Sequence, residues 1–412
     1  MYRAILVEPS QRPLQQIVFR SNSSDTLKTY VLNTVTYGTA SAPYLATRCL
    51  VSLADQCSDP EVSQSIRRDF YVDDYLCGGD TIESVINLCQ GVRKTLESAK
   101  FHLRKWQSNS PKILESITNI HTEILDKKLN LNDSPSKTLG LYWDCKTDRL
   151  SFSIDLQHNN NISKITKRNI LSLISQVFDP LGLVGPCVVQ AKLMLQQLWI
   201  LKCNWDDEVP TEIKSNFIEF IESLPALNLI QIPRWVSCHN ATSVELHTFT
   251  DASVCAYGAC IYVRSVSVDG TVCVRLLASK NRVAPIKPTT IPRLELCGAL
   301  LGTRLFEKVR KSLTLEFNHC YFWCDSTIVL GWLSTLPSRL EQFVRNRVSE
   351  IQETTAGQTW SYVPSKSNPA DLTSRGVKAD CISSSTLWWS GPDFLNQTQI
   401  QFTIAPNTKH QS

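Results

Sequence analysis

The sequence predicts a multidomain chain of α/β and α+β character, with a helical stretch between two mixed regions. Three observations support this. At 412 residues the chain exceeds what one hydrophobic core usually holds. Its composition, 42% hydrophobic and 19% charged with no low-complexity run, is that of a folded globular protein. Its hydrophobic period changes along the chain: mixed α and β over 1–150, helical over 165–205, and paired-strand alternation from Val244 onward.

In the first region TYVLNTVTYG (29–38) is strand-like, β-branched and aromatic, and ends at Gly38. ASAPYLATRCLVSLADQC predicts a helix with Pro43 in its first turn, where a missing N–H costs little. RRDFYVDDYLCGG reads as strand, turn, strand, SVINLCQGVRKTLESA (84–99) as an amphipathic helix, and KTLGLYWD with DRLSFSID (137–155) as a hairpin. Pro and Gly at 180, 182, 185 and 186 split 165–205 into two helices. A further helix and a proline-containing connection occupy 207–240.

From Val244, VELHTFTDASVCAYGACIYVRS and TVCVRLLASK supply three strands and IPRLELCGALLGTRLFEKVRKSL a long helix. CYFWCDS is a short buried strand, TIVLGWLS and LEQFVRNRVSEIQ are helices, and the strand QTWSYVPS leads into the last helix, NPADLTSRG. That order is an α/β domain of about 150 residues. No internal repeat is present.

A net charge of +4 permits a nucleic-acid partner without demanding one. The 15 cysteines are scattered singly, with no C-x-x-C pair and no Cys/His cluster at zinc spacing. This argues for reduced thiols and against a structural metal knot. No signal peptide opens the chain and no apolar run reaches membrane-spanning length. The expectation is an intracellular, cytoplasmic protein, not secreted and with no membrane partner.

Four acidic residues stand at telling places in the second half. Asp251 lies in the first strand, Glu295 on the long helix, Asp325 at the end of the buried strand, and Asp371 at the start of the last helix. Singly, each reads as a cap, a turn or a solvated helix face. Together, at strand ends and on a facing helix, they can converge, and converging carboxylates require cations such as Mg²⁺ or Mn²⁺. Two such ions about 3.5–4 Å apart can activate a water and stabilise a leaving oxygen in phosphodiester hydrolysis.

TFTDASVCAYGACIYVRS, SKNRVAPIKPTTIPRLELCGALL, FWCDSTIVLGWL and VPSKSNPADLTSRG resemble the ribonuclease H domain of BEL/Pao-type retrotransposon polyproteins. The resemblance implies a ribonuclease H-like domain over 241–378 with a mixed five-stranded sheet. It also implies Asp251, Glu295, Asp325 and Asp371 as the catalytic, metal-binding quartet with two ions, and hydrolysis of RNA in an RNA–DNA hybrid. Such a hybrid is recognised by shape and the 2′-hydroxyl. Arg293, Lys280 and Arg282 are candidate phosphate contacts, with ordinary solvated charge an equal reading. Ser326 reads as a helix cap rather than a nucleophile.

The adjacent carboxylates of Asp73 and Asp74 raise a second question, because burying like charges side by side is costly unless something neutralises them. RDFYVDDYL resembles the catalytic hairpin of a reverse transcriptase, in which a tight turn presents both carboxylates to Mg²⁺. LNTVTYGTASAPYLATRCL, with Gly38, resembles the segment under the template and incoming nucleotide, its small residues allowing close approach. FHLRKWQSNSPKIL resembles the following segment and would place Lys105 near the triphosphate. KTLGLYWD resembles the element gripping the primer end.

The resemblance divides the chain into four parts. Residues 1–155 are a partial reverse transcriptase, palm and start of thumb, lacking fingers and the first catalytic strand. Residues 156–240 are a helical connection, 241–378 the ribonuclease H-like domain, and 379–412, with TLWWSGPDFL, a tail toward an absent integrase zinc domain. In the connection, Lys164, Lys167, Arg168, Lys192 and Lys202 face one acid, Asp179, a balance that suits a nucleic-acid backbone and equally a solvated helix face. No Asp-[Ser/Thr]-Gly triplet occurs, so an aspartic protease is not supported.

The implied partners are RNA–DNA hybrid and primer–template nucleic acid, with deoxynucleotides only for a completed polymerase site. The remaining Pol segments, protease and integrase, would join them in a full-length, particle-associated element. The competing reading is a catalytically inactive or co-opted nucleic-acid-binding remnant. The third polymerase aspartate is expected just before MYRAILVEPSQRPLQ, and Asp25, in a turn, is a poor substitute. Without that ligand, polymerase rate should fall by several orders of magnitude. Primer extension on a poly(A) template with Mg²⁺ or Mn²⁺ should therefore give no detectable product, and robust synthesis would overturn this reading.

Overall fold

The computed structural model describes residues 1–118, 136–138, 141–154 and 164–400. Residues 139–140 and 155 of the expected hairpin, 156–163 of the connection and 401–412 of the tail lie outside them. The chain forms two compact units, one of residues 1–135 with 145–147, the other of 136–144 with 148–412.

The first unit contains β1 (Gln16–Phe19), β2 (Lys28–Val31), α1 (Ala42–Gln56), α2 (Pro60–Arg68), β3 (Phe70–Tyr71), β4 (Asp74–Tyr75), α3 (Ile82–Ser98) and α4 (Pro111–Thr118). In α1, Ala42, Ala46, Leu50 and Ala54 recur every four residues and line one buried stripe. Asp59 caps α2, accepting from the Glu61 and Val62 amides, and Thr81 caps α3. Leu50, Val62, Ile66, Leu88, Val92 and Leu96 form the core among these helices. Gly91 lets α2 and α3 touch, since a Cβ there would stand 2.5 Å from Val62 Cγ2.

Two expectations are corrected here. Arg67 and Arg68 close α2 instead of opening a strand, where they complement the helix C-terminus. The strand expected over 29–38 stops at Val31. Beyond it the chain bonds to residues 5–7, Val7 N to Asn33 O at 2.9 Å and Val35 N to Ile5 O at 3.0 Å.

The second unit contains β5 (Ser136–Thr138), β6 (Leu141–Asp144), β7 (Arg149–Ser151), α5 (Lys167–Ile174), α6 (Gly185–Ile200), α7 (Thr211–Ser223) and β8 (Gln231–Pro233). It continues with β9 (Ala241–Ala252), β10 (Ala256–Ser267), β11 (Val272–Val283), α8 (Ile291–Ser312), β12 (His319–Cys324), α9 (Thr327–Leu333), α10 (Gln342–Thr354), β13 (Thr359–Tyr362), α11 (Ala370–Arg375), α12 (Ala379–Ser383) and α13 (Thr386–Ser390). Strands β5–β8 form an antiparallel sheet in sequence order.

The main sheet has the order β11-β10-β9-β12-β13, with β9–β11 antiparallel and β12 and β13 parallel to their neighbours. Alternation sorts its faces. Leu246, Thr248 and Thr250 of β9 share a face with Phe322 of β12, against Gly302 and Phe306 of α8. Phe249 shares the other face with Trp323 and Tyr262, packed with Trp388, Leu395 and Phe394.

Residues on both sides of 155/156, 240/241 and 378/379 fall within the same compact unit. The loop before α6 is fastened to β11: Ser279 N donates to Leu181 O at 2.8 Å, and Gly182, at φ +73, lies so close that a Cβ would meet the Ser279 carbonyl oxygen at 2.0 Å. The Asp179 carboxylate accepts from the Leu183 and Val184 amides at 2.7 and 2.9 Å and caps this turn, although burial pushes it up to about 6.

The described part of the expected tail contributes to the core. Trp388 is fully buried, donating Nε1–H to Leu183 O at 2.8 Å and accepting on its carbonyl from Tyr262 Oη at 2.7 Å. Helices α12 and α13 follow α11, which is therefore not the last helix. Trp388→Ala should lower the unfolding free energy of this unit by about 3–5 kcal/mol in urea titration. A change well under 1 kcal/mol would contradict the core assignment.

Candidate active site

The carboxyl edge of the main sheet gathers the acids. Asp251, buried, is the penultimate residue of β9 and lies opposite Gly258 of β10. A Cβ on Gly258 would stand 1.9 Å from Thr373 Oγ1, so the glycine admits α11 onto the strand. That seats Ser374, whose Oγ donates to Asp251 Oδ2. Asn368, fully buried, fixes the approach to α11: its Nδ2 donates to Thr250 O at 3.0 Å and its Oδ1 accepts from Ala370 N at 3.1 Å. Asp371, in the first turn of α11, pairs with Arg375 one turn on.

Glu295 comes from the first turns of α8. Gly298 allows that approach, since a Cβ would meet the Asp251 carbonyl oxygen at 2.8 Å. The ligand atoms of Glu295, Cys324 and Asp325 lie within 4.8 Å of one another. Ser365 Oγ donates to Asp325 Oδ2 at 2.6 Å. Asp325 Oδ1 and Glu295 Oε2 are buried and have no hydrogen-bond partner.

A buried, unpartnered oxygen on each of two neighbouring carboxylates is unfavourable for a protein alone and suited to a hard divalent cation, so the donor set fits one. Cys324 does not belong to that set by chemistry. It is buried, its thiol is pushed far up by burial, and its Sγ accepts from Ser326 N at 3.4 Å.

The electrostatics agree. Burial pushes Asp251 up to about 7; the Ser374 hydrogen bond opposes this, while the charges of Asp325, Asp371 and Glu295 add to it. Burial likewise raises Glu295, opposed by a hydrogen bond from Ser326 and reinforced by Asp325. Thus Glu295 and Asp325 are brought together directly, and Asp251 feels the charges of Asp325, Asp371 and Glu295. Ser326 caps α9 through Val329 N, as expected. Arg293 pairs with Glu341 at 3.0 Å, and Lys280 and Arg282 are exposed on β11.

Ser365, Ser374, Arg375, Gly258 and Gly298 were not singled out from the sequence. For Ser374 and Arg375 a signal existed, since they follow Asp371 at helical i+3 and i+4 spacing. The glycines answer to a cross-strand register and a helix approach that no local pattern carries.

In the first unit, Asp73 and Asp74 are exposed at the tip of the β3–β4 hairpin, where Phe70 pairs with Tyr75 and Tyr71 with Asp74. Water screens their repulsion, so the cost expected for a buried pair does not arise. Val72 sits at φ +57, an uncommon conformation for a β-branched residue and one found at functional turns. Tyr75 anchors the hairpin through its ring on Phe70, centroids 4.9 Å apart, and its hydroxyl 2.7 Å from Ser65 Oγ.

Gly38 sits at φ +90, a conformation that favours glycine, and no protein atom lies within 4 Å of a Cβ position there. Lys105 is exposed at φ +56 in the loop between α3 and α4. Asp25 caps a surface turn, accepting from Asn22 N at 3.0 Å.

The mixed five-stranded order, with acids from two strand ends and two helices at one edge, defines an RNase H-like fold. Residues 166–326 match the family model described as a Pao retrotransposon-like RNaseH-like domain. No curated protein matches the sequence.

Among solved structures, a foamy viral protease–reverse transcriptase in complex with RNA/DNA hybrid is 14% identical at TM-score 0.49, covering 88% of this chain and 43% of that one. RNase H1 of Halobacterium salinarum is 15% identical at TM-score 0.21, covering 31% and 90%. LC11-RNase H1 in complex with RNA/DNA hybrid is 13% identical at TM-score 0.23, covering 31% and 91%. The chain spans less than half the length of the foamy viral enzyme it matches. No helix among the described residues is long and apolar enough to cross a membrane.

The Asp251 shift has a sign. An acid raised on folding stabilises the folded state below its unfolded pKa, and that contribution is lost as pH rises through the folded value. Without divalent ions, the melting temperature of the second unit should therefore fall between about pH 4 and pH 7, and Asp251→Asn should flatten the fall. An unchanged profile in the variant would show that Asp251 is not the group responsible.

Proposed function

We propose that the second unit is a ribonuclease H that cleaves the RNA strand of RNA–DNA hybrids, using Asp251, Glu295, Asp325 and Asp371 to hold two Mg²⁺ or Mn²⁺ ions. The observation that carries this reading is the pair of buried, unpartnered oxygens, Asp325 Oδ1 and Glu295 Oε2, at the carboxyl edge of an RNase H-like sheet. When bound, such ions supply an activated water and a stabilised leaving oxygen for phosphodiester hydrolysis.

The protein's own part is placement. Ser365 occupies Oδ2 of Asp325 and leaves Oδ1 free, and Ser374 fixes Asp251 in the same way. Arg375 balances Asp371 at the rim. Lys280 and Arg282, exposed on β11, are positioned to meet backbone phosphates, with hybrid shape and the 2′-hydroxyl selecting the substrate.

We further read residues 1–155 as part of a reverse transcriptase palm and thumb, with Asp73 and Asp74 as metal ligands and Lys105 and Gly38 near the nucleotide. Residues 156–240 form a connection to the ribonuclease H region at 241–378. Its partners would be hybrid, primer–template and the other segments of a retroelement Pol polyprotein.

The decisive assay is cleavage of a labelled RNA–DNA hybrid with and without EDTA. Metal-dependent cutting that falls roughly 10²–10³-fold or more in Asp325→Asn is expected. Hybrid binding without metal-dependent cutting would favour the nucleic-acid-binding remnant.

A further inference from the structure

The geometry points to a second chemical site in the first unit: Cys77 and Cys89 form a dithiol that a peroxide oxidises to a disulfide, with Cys77 reacting first and Cys89 resolving. Cys77 lies two residues beyond β4, and Cys89 lies on α3. Their Sγ atoms are 3.5 Å apart. A disulfide needs about 2.05 Å, a gap that side-chain rotation can close where the sulfurs already touch. The pair sits in a small apolar cluster with Val85, Ile113, Tyr75 and Trp106.

The two thiols are not equivalent. Cys77 is partly exposed, whereas Cys89 is buried at 2%. A hydrogen bond from Cys89 pulls the Cys77 thiol down to about 7, against the effect of burial, and Tyr75 assists. The same contact, with burial, pushes Cys89 up. At neutral pH Cys77 is therefore richer in thiolate than an ordinary cysteine, and as the less buried of the two it is the one a solute reaches.

The chemistry balances. The Cys77 thiolate attacks one peroxide oxygen; an S–O bond forms, the O–O bond breaks, and hydroxide leaves to become water. The Cys89 sulfur then attacks the Cys77 sulfenic acid; the S–S bond forms, the S–O bond breaks, and a second water leaves with the Cys89 proton. Two thiols are oxidised by two electrons and one peroxide is reduced. The product ties the strand leaving the Asp73–Asp74 hairpin to α3, so a redox state is written next to an exposed carboxylate pair.

The test uses the full chain treated with hydrogen peroxide, alkylated and digested without reduction. A Cys77–Cys89 linked peptide is expected, lighter by two hydrogens than the reduced pair and lost in both Cys77→Ser and Cys89→Ser. In Cys89→Ser, dimedone should label Cys77; in Cys77→Ser, it should leave Cys89 unlabelled. For the unmodified chain, which requires no variant to fold, the rate of Cys77 alkylation against pH should show a midpoint near 7. Both cysteines recovered as free thiols after peroxide, or a midpoint at the ordinary cysteine value, would overturn the assignment.

Discussion

Repulsion among acids that the fold itself drives together is the constraint on which the second unit is organised. Two unit charges about 4 Å apart repel by about 4 kcal/mol at the effective dielectric of a protein surface. Asp251 and Glu295 carry that cost visibly, since burial and neighbouring charge raise both. The site persists because packing elsewhere leaves its members nowhere else to go. Gly258 admits α11 and Gly298 admits α8, and each helix delivers an acid to the same edge.

The rigidity behind that placement comes from a second polar arrangement on the same face. Arg264, 3% exposed, donates to Glu245 at 2.9 Å and to the carbonyls of Leu395, Gln397 and Thr398 at 2.8, 2.7 and 3.1 Å. Glu245 in turn lies 3.2 Å from His247 Nε2, and Trp323 Nε1–H donates to His247 Nδ1 at 3.1 Å. An acceptor Nδ1 places the ring proton on Nε2, facing Glu245, and burial holds the imidazole neutral by lowering its pKa. A buried ion pair with every partner satisfied fixes one arrangement more than it adds stability. Here it locks residues 395–398 to the strand that carries Asp251 and, through Trp323, to the strand that ends at Asp325.

How much of this was legible depends on whether the cause was local. The alternation from Val244, the buried run CYFWCDS and the Pro/Gly break near 180 determine their elements within a few residues, and the sheet and helices appear where those patterns put them. Asp251 and Asp325 stood out because acids at the ends of apolar strands are locally odd, whereas Glu295 and Asp371, on helices, were drawn in only by their order and the resemblance. Trp388 was not legible, since its meaning rests on Leu183, 205 positions earlier in the chain. Gly182 looks like a turn glycine in sequence, and only the Ser279 carbonyl shows why nothing larger fits.

The two carboxylate groups of the chain thus differ in physical state more than in composition. Asp73 and Asp74 face water, which screens them at little cost, and their geometry neither demands nor excludes a cation. The information at the hairpin lies instead in Val72, held at a φ that a β-branched residue adopts only under constraint from Tyr75 and the Phe70 pairing. At the sheet edge the oxygens themselves carry the information, because a buried acceptor left without a donor is a standing penalty that a folded protein rarely tolerates. Asp325 Oδ1 and Glu295 Oε2 bear that penalty together, while Ser365 satisfies the other oxygen of Asp325. One oxygen of Asp325 is satisfied and its twin left bare, on a carboxylate next to Glu295 that also carries a bare oxygen, and this unmet demand is what the proposed ions would relieve.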